Sequence, residues 1–229
     1  MKLKVVRCFV SLLIVGHAFP TFSQPKETGN WIMYFGTNTI SDNFSLHTEI
    51  QYRNHTIAPV NIEQLLLRTG LNYHFSNKAF VTVGYGYIEG YQFESKQKAP
   101  ESIEHRIWQQ FILKNELGRV KFEHRYRVEQ RWITEEFRNR FRYRVMLFVP
   151  LNDTEIERGT VFIGLYDEVF LNDRRDLFDR NRLYGALGYQ IDSNIGIQVG
   201  GLRQVLNDFA KWYLQVAITF NTDFRNSTQ

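Results

Sequence analysis

The 229-residue sequence predicts an all-β fold: an antiparallel, up-and-down transmembrane β-barrel of about 10–12 strands, preceded by a signal peptide. Three observations carry this expectation. Side chains alternate between polar and apolar over long segments, a period that gathers like residues on one face of a strand and scatters them around a helix. Many of the segments exceed the roughly 5–6 residues usual for strands in soluble domains. The N-terminus has the make-up of an export signal.

Lys2, Lys4 and Arg7 give the N-terminus a basic start, and Val5 to Phe19 is an apolar run broken by Arg7, Ser11, Gly16 and His17. Thr21-Phe22-Ser23 then offers small residues three and one places before a cut at Gln24. Residues 1–23 are therefore expected to be the signal and 24–229 the outer-membrane barrel domain. The run is short for an uncleaved anchor, and Cys8 does not follow the pattern of a lipoprotein signal. Removing the signal leaves 25 basic against 24 acidic residues, because it carries three of the 28 basic residues and none of the 24 acidic ones. So balanced a chain has no nucleic-acid footprint. Cys8 is the only cysteine, so the mature chain forms no disulfide and no thiolate metal site. After the signal no window of about 18 apolar residues could cross a membrane as a helix.

Eleven segments fit strands: 29–37, 43–53, 62–75, 79–91, 102–115, 119–132, 136–149, 159–171, 180–191, 195–206 and 210–220. In the second, Phe44, Leu46, Ile50 and Tyr52 alternate with Ser45, His47, Glu49, Gln51 and Arg53. In the third, Leu65, Leu67, Leu71, Tyr73 and Phe75 oppose Gln64, Arg68, Asn72 and His74. The sixth places Lys121, Glu123, Arg125, Arg127, Glu129 and Arg131 on one face, with Phe122, His124, Tyr126, Val128 and Gln130 between them. The seventh sets Arg138, Arg140, Arg142 and Arg144 against Phe137, Phe141, Tyr143, Val145, Leu147 and Val149. In the ninth, Leu183, Leu187, Tyr189 and Ile191 oppose Arg182, Tyr184, Gly188 and Gln190, and the last sets Leu214, Val216, Ile218 and Phe220 against Gln215 and Thr219. Short turns at 76–78, 116–118 and 192–194 trade off with longer loops at 92–101 and 172–179, the habit of outer-membrane barrels. The loop at 151–158 is long and that at 207–209 short for this scheme. Single-chain bacterial barrels normally hold an even number of strands, so 10 or 12 are expected rather than eleven.

Periodicity alone does not say which face is inside. A soluble, lipocalin-like periplasmic carrier would point its apolar residues inward, and a membrane barrel points them at lipid. Long strands, an export signal and an arginine-rich polar face favour the membrane. Arginine forms bidentate carboxylate pairs and suits confined ion pairs. The lumen is then expected to hold Arg53, Arg68, Arg106, Lys121, Arg125, Arg127, Arg131, Arg138, Arg140, Arg142, Arg144 and Arg182 with Glu49, Glu104, Glu123, Glu129 and Glu168. Twelve cations against five anions give an excess of seven.

Several segments carry a further likeness. They are Glu104-His105-Arg106-Ile107-Trp108-Gln109-Gln110, His124-Arg125-Tyr126-Arg127-Val128-Glu129-Gln130-Arg131 and Asn139-Arg140-Phe141-Arg142-Tyr143-Arg144, followed by Glu168-Val169-Phe170 and Asn181-Arg182-Leu183-Tyr184. With an early Trp31 and Arg53 closing the second strand, the chain resembles a domain-of-unknown-function family of exported, predicted outer-membrane β-barrels of Gram-negative bacteria. The resemblance spans nearly all of the mature chain and rests on the order of the motifs. It implies a barrel and an outer-membrane address, and no established activity.

Two functional readings suit the charged ladder: a structural plug of paired side chains, or a narrow anion-preferring pore, since rings of Arg select anions. A membrane-embedded lipid-modifying enzyme is the main alternative. It needs nucleophile, base and orienting group within reach of one another. Among His47, His55, His74, His105 and His124, the last faces lipid and has only Thr134 and Ser102 as remote partners. It reads first as part of an interfacial His–Tyr girdle. His47 with Glu49 supplies too few ligands for a metal. The mixed-charge loop 172–180 lacks calcium-loop spacing. No helix is expected after Gly84-Tyr85-Gly86, so these glycines, like Gly185, Gly188, Gly196, Gly200 and Gly201, mark bends or close packing rather than a phosphate cradle. No cofactor and no metal is implied. The expected partners are outer-membrane lipid and lipopolysaccharide, with barrel-assembly machinery during biogenesis, and no nucleic acid. No solute can be named.

Overall fold

The computed structural model describes residues 27–93, 99–173 and 176–225. The signal segment 1–23, with Cys8, lies outside the described residues, as do Arg174 and Arg175 of the loop after the eighth strand. Eleven strands follow one another: β1 (Gly29–Thr39), β2 (Phe44–Asn54), β3 (Ile62–Ser76), β4 (Ala79–Gly90), β5 (Ser102–Leu117), β6 (Val120–Ile133), β7 (Glu136–Pro150), β8 (Val161–Asn172), β9 (Phe178–Gln190), β10 (Ile195–Val205) and β11 (Ala210–Asp223). They run from 11 to 16 residues. Each pairs with its sequence neighbour in antiparallel fashion, and the sheet closes on itself.

The closure corrects the expected strand number. It is neither 10 nor 12 but eleven. β1 is a full strand that pairs in parallel with β11, from Gly29 opposite Tyr213 to Thr39 opposite Asp223. A parallel seam joins an odd number of strands without leaving an edge, so no unpaired row of N–H and C=O groups remains. The cost falls on one seam, where slanted parallel bonds replace perpendicular ones.

The seam also gives the barrel two distinguishable ends. At the entry end lie the start of β1 and the loops after β2, β4, β6, β8 and β10. At the exit end lie the loops after β1, β3, β5, β7 and β9 and the end of β11. Loop lengths do not sort cleanly between them. The ten residues 151–160 sit at the exit end, and the two-residue Thr134-Glu135 turn sits at the entry end. Gly118 opens the β5–β6 turn with φ 61°, a conformation that the first position of a tight hairpin demands and that glycine adopts without a Cβ penalty.

Parity decides what faces where, and it inverts the burial of a soluble barrel. Outward positions are apolar and exposed: Ile50 is 50% exposed, Val83 60%, Leu183 57% and Leu187 58%. Inward positions hold Glu49, Arg68, Glu104, Arg106, Arg127, Glu129, Arg140, Arg142, Glu168 and Arg182, all buried. The lipocalin-like arrangement, with apolar residues inward and charges outward, is not the one found.

The seam is open to a direct test. Ile32 stands opposite Val216 across β1 and β11. In a chain of residues 24–229, which has no other cysteine, Ile32→Cys with Val216→Cys should form a disulfide on mild oxidation, seen as a gel shift reversed by reductant. Ile32→Cys with Ile218→Cys, two rungs out of register, should cross-link far less; equal yields would rule out this register.

Candidate functional site: a buried arginine–glutamate layer

The site is built by period two. Because β5, β6 and β7 are long neighbours in register, inward residues stack in adjacent rows: Trp108 lies opposite Glu129, and Glu129 opposite Arg140. Glu129 is wholly buried, and arginines from four strands converge on its carboxylate. Arg140 reaches Oε2 at 2.6 Å and Arg142 reaches Oε1 at 2.7 Å, both from β7. Arg106 of β5 stands at 3.3 Å, Arg68 of β3 at 3.7 Å and Arg127 of β6 at 3.9 Å.

Three further carboxylates extend the layer. Glu104 takes Arg106 at 2.6 Å and Arg131 at 2.7 Å. Glu168 takes Arg125 at 2.7 Å and Arg142 at 2.8 Å, so Arg142 bridges two carboxylates. Glu49 takes Arg68 at 3.1 Å and His47 at 3.2 Å. Arginines without a hydrogen bond to a carboxylate are held by amides. Arg127 donates to Gln110 at 2.7 Å, Arg182 to Gln204 at 2.8 Å, and Arg53 to Gln64 at 2.6 Å.

Aromatic rings fill the spaces between the guanidinium groups. Trp31 of β1 has Arg53 3.9 Å and Arg182 4.7 Å from its ring. Phe170 has Arg142 at 4.3 Å and Arg182 at 4.7 Å, and Trp108 has Arg127 at 4.6 Å. A desolvated cation over a ring recovers part of the hydration it gives up. Trp108 lies against the sheet because β3 and β4 carry glycine beneath it: a Cβ at Gly84 would come within 2.5 Å of its indole, and one at Gly70 within 2.9 Å. These glycines thus serve close packing.

The layer spans the barrel. In the entry-end half every strand sends in at least one buried side chain: Trp31, Gln51, Arg68, Ile88, Arg106, Glu129, Arg140, Phe170, Arg182, Leu202 and Tyr213, from β1 to β11 in turn. At the entry rim Tyr213 of β11 donates to Glu63 of β3 at 2.9 Å, across the seam and two strands. Nearby, Tyr91 donates to Glu89 at 2.6 Å. That bond to a carboxylate pushes its phenol up to about 12, so it remains a donor at neutral pH.

The ladder of sequence-predicted residues is largely one assembly, with exceptions set by height along the barrel. Arg138 is at the entry rim, paired with its own-strand neighbour Glu136 in a half-exposed position. Lys121 is at the exit end, 3.7 Å from Glu155 of a loop. Both have the right parity and neither reaches the buried layer. Glu123 and Arg144 form a separate pair at 2.6 Å, toward the exit end. Sequence reasoning missed Trp31, Trp108 and Phe170 as members, although Trp108 and Phe170 share parity with the charges of their strands; β1, which carries Trp31, has no charges to signal it. His124 lies outside, its ring stacked on Tyr143 and bonded to the phenol at 2.9 Å. Ser102 and Thr134 lie toward the entry end of β5 and β6, whereas His124 faces Leu113 near their exit end, so the three do not meet. Among the described residues no group of three or more His, Cys, Asp or Glu could hold a metal.

A family model described as a protein of unknown function, DUF2490, matches residues 28–215. No curated protein and no solved structure matches the chain.

The layer predicts unequal costs for its acids. Removing one partner of a buried ion pair strands the others, at about 3–5 kcal/mol. Glu129→Gln should therefore lower unfolding stability by about that much, read from urea denaturation in detergent. Glu123→Gln, toward the exit end and partly exposed, should cost about 1 kcal/mol or less. Equal losses would mean that the network is not centred on Glu129.

Proposed function

The chain belongs to that family of unknown function, and from its geometry we propose that it is a non-enzymatic outer-membrane β-barrel whose lumen is closed by the arginine–glutamate layer. The observation that carries the reading is Glu129, wholly buried in mid-lumen with arginines of β3, β5, β6 and β7 around it. An aqueous channel through this section would hydrate those charges, and their burial speaks for a filled cross-section.

Three features support the membrane setting. The outward band of exposed Ile, Leu, Val and aromatic residues far exceeds the scattered apolar residues of a soluble surface. Strands of 11–16 residues rise about 3.3 Å per residue, enough at a tilt of roughly 40° to cross a hydrocarbon layer. A closed sheet leaves no backbone group unpaired toward lipid. Lipid and lipopolysaccharide are the partners this surface would meet, and assembly machinery would handle it during insertion. The excess of lumenal cations favours a second reading, a narrow anion-preferring pore.

Steady-state current through planar bilayers separates the two. The refolded protein, shown by heat-modifiable migration to be inserted and folded, should carry no sustained current in an asymmetric salt gradient. A stable, anion-selective conductance would overturn the closed lumen and establish the pore.

A further inference from the structure

On the exit-end side of the layer the lumen opens into a funnel. A cavity of about 350 Å³ lies against the arginines and shares Phe35, Lys114, Glu123 and Phe148 with an outer cavity of about 550 Å³. The outer one is bounded by Asn77 and Lys78 of the β3–β4 turn and by Ile156 of the β7–β8 loop. Volumes of this size hold small organic ligands.

The inner cavity has an unbalanced lining. Eight Arg and Lys residues and three Glu border it, an excess of five cations. The hydrogen bonding is unbalanced in the same direction. An ionised carboxylate offers about four lone-pair sites. Glu129 receives bonds from Arg140, Arg142 and Arg106, so Arg127 and Arg68 remain at 3.9 and 3.7 Å, beyond hydrogen-bond length. Among the described residues eight buried side-chain atoms lack a hydrogen-bond partner, and seven of them are nitrogens. Six of the seven belong to residues that line this one cavity: Trp31, Arg68, Arg125, Arg127, Arg144 and Gln215. A buried donor without an acceptor costs about 1–3 kcal/mol, so a cluster of them is a standing demand for an acceptor.

The same cavity has an apolar lining as well. Met33, Met146, Tyr184 and Ala217 belong to one buried cluster, with Phe35, Phe148 and Tyr166 packed against it. All seven line the inner cavity. The funnel is therefore mixed in character, with cations from β3, β6 and β7 beside apolar side chains from β1, β7, β8, β9 and β11. Arg125 and Arg144 keep 13% and 17% of their side chains exposed, which leaves them reachable from the open end.

We propose that this funnel is a binding site for an organic anion with a compact apolar body. The anionic group sits on Arg127, Arg125 and Arg144, and the apolar part sits against Met33, Met146 and Ala217. The inference rests on the closed lumen proposed above, since the ligand then enters and leaves by the exit end alone.

Isothermal titration of the detergent-solubilised barrel with 2-naphthoate tests it. The expected result is saturable binding at one site, with inorganic phosphate (charge alone) and 2-naphthylmethanol (apolar body alone) each at least tenfold weaker. Arg127→Gln and Arg144→Gln should each weaken 2-naphthoate at least tenfold, and Ala217→Phe should do so by crowding the apolar lining. Arg144 is the less buried of the two arginines, so its variant stands in if Arg127→Gln does not fold, and heat-modifiable migration checks each. No saturable binding to the wild-type protein, or unchanged affinity in the folded arginine variants, overturns the site. Such a failure leaves the closed lumen untouched, because bilayer current reports on that separately.

Discussion

A single carboxylate in mid-lumen sets the terms for the rest of the interior. Glu129 has arginines within 4.0 Å from four different strands, and no two of these strands need be adjacent for both to feel it. Backbone pairing ties each strand only to its neighbours, whereas this contact ties β3 to β7 across the barrel. The positions of Trp108 over its glycines and of Arg142 between Glu129 and Glu168 follow from keeping that many guanidinium groups near one acid. A buried ion pair is weak evidence for stability, because desolvation can exceed the Coulombic gain. Its value is specificity: an interior that must satisfy such a network fits one register, and a slip by one residue would turn the charges outward.

The layer also shows how the barrel divides its interior. The entry-end half contains bidentate pairs, amide-held arginines and rings, with side chains from all eleven strands. The exit-end half leaves a cavity lined by cations and apolar side chains together. Five arginines around one acid cannot all be served by it, and the underserved guanidinium groups are those that border the cavity. Paired charges in the entry-end half and vacant hydrogen-bonding capacity along the cavity are thus two results of the same charge count.

Most of the fold was legible because period two is a local signal. Each predicted strand appears within about three residues of its expected bounds, and alternation at Arg138–Arg144 or Lys121–Arg131 assigned faces correctly. What alternation does not encode is how the first strand meets the last. The even-number habit argued against eleven strands, and the parallel seam between β1 and β11, a contact between residues some 184 apart such as Gly29 and Tyr213, settled the count. Height along the barrel was equally hidden. Arg138 and Arg140 look alike in sequence, yet one stands at the rim and the other on Glu129. The inward rings of Trp31, Trp108 and Phe170 were overlooked because apolar residues were sought on the opposite face. Parity with the charges places Trp108 and Phe170 but not Trp31, whose strand has none, and only packing explains why cations favour these rings as neighbours.

The odd strand count has a bearing on topology. An even barrel begins and ends on the same side, like a hairpin repeated. Here β1 starts at one end and β11 finishes at the other. In the proposed membrane setting, the segment leading into β1 and the segment leaving β11 would face different compartments. Insertion would then require one flank of the domain to be carried through the bilayer, and the funnel mouth would share a compartment with the trailing flank. The barrel would be a vectorial object, with one compartment seeing a sealed, charged cap and the other a recess.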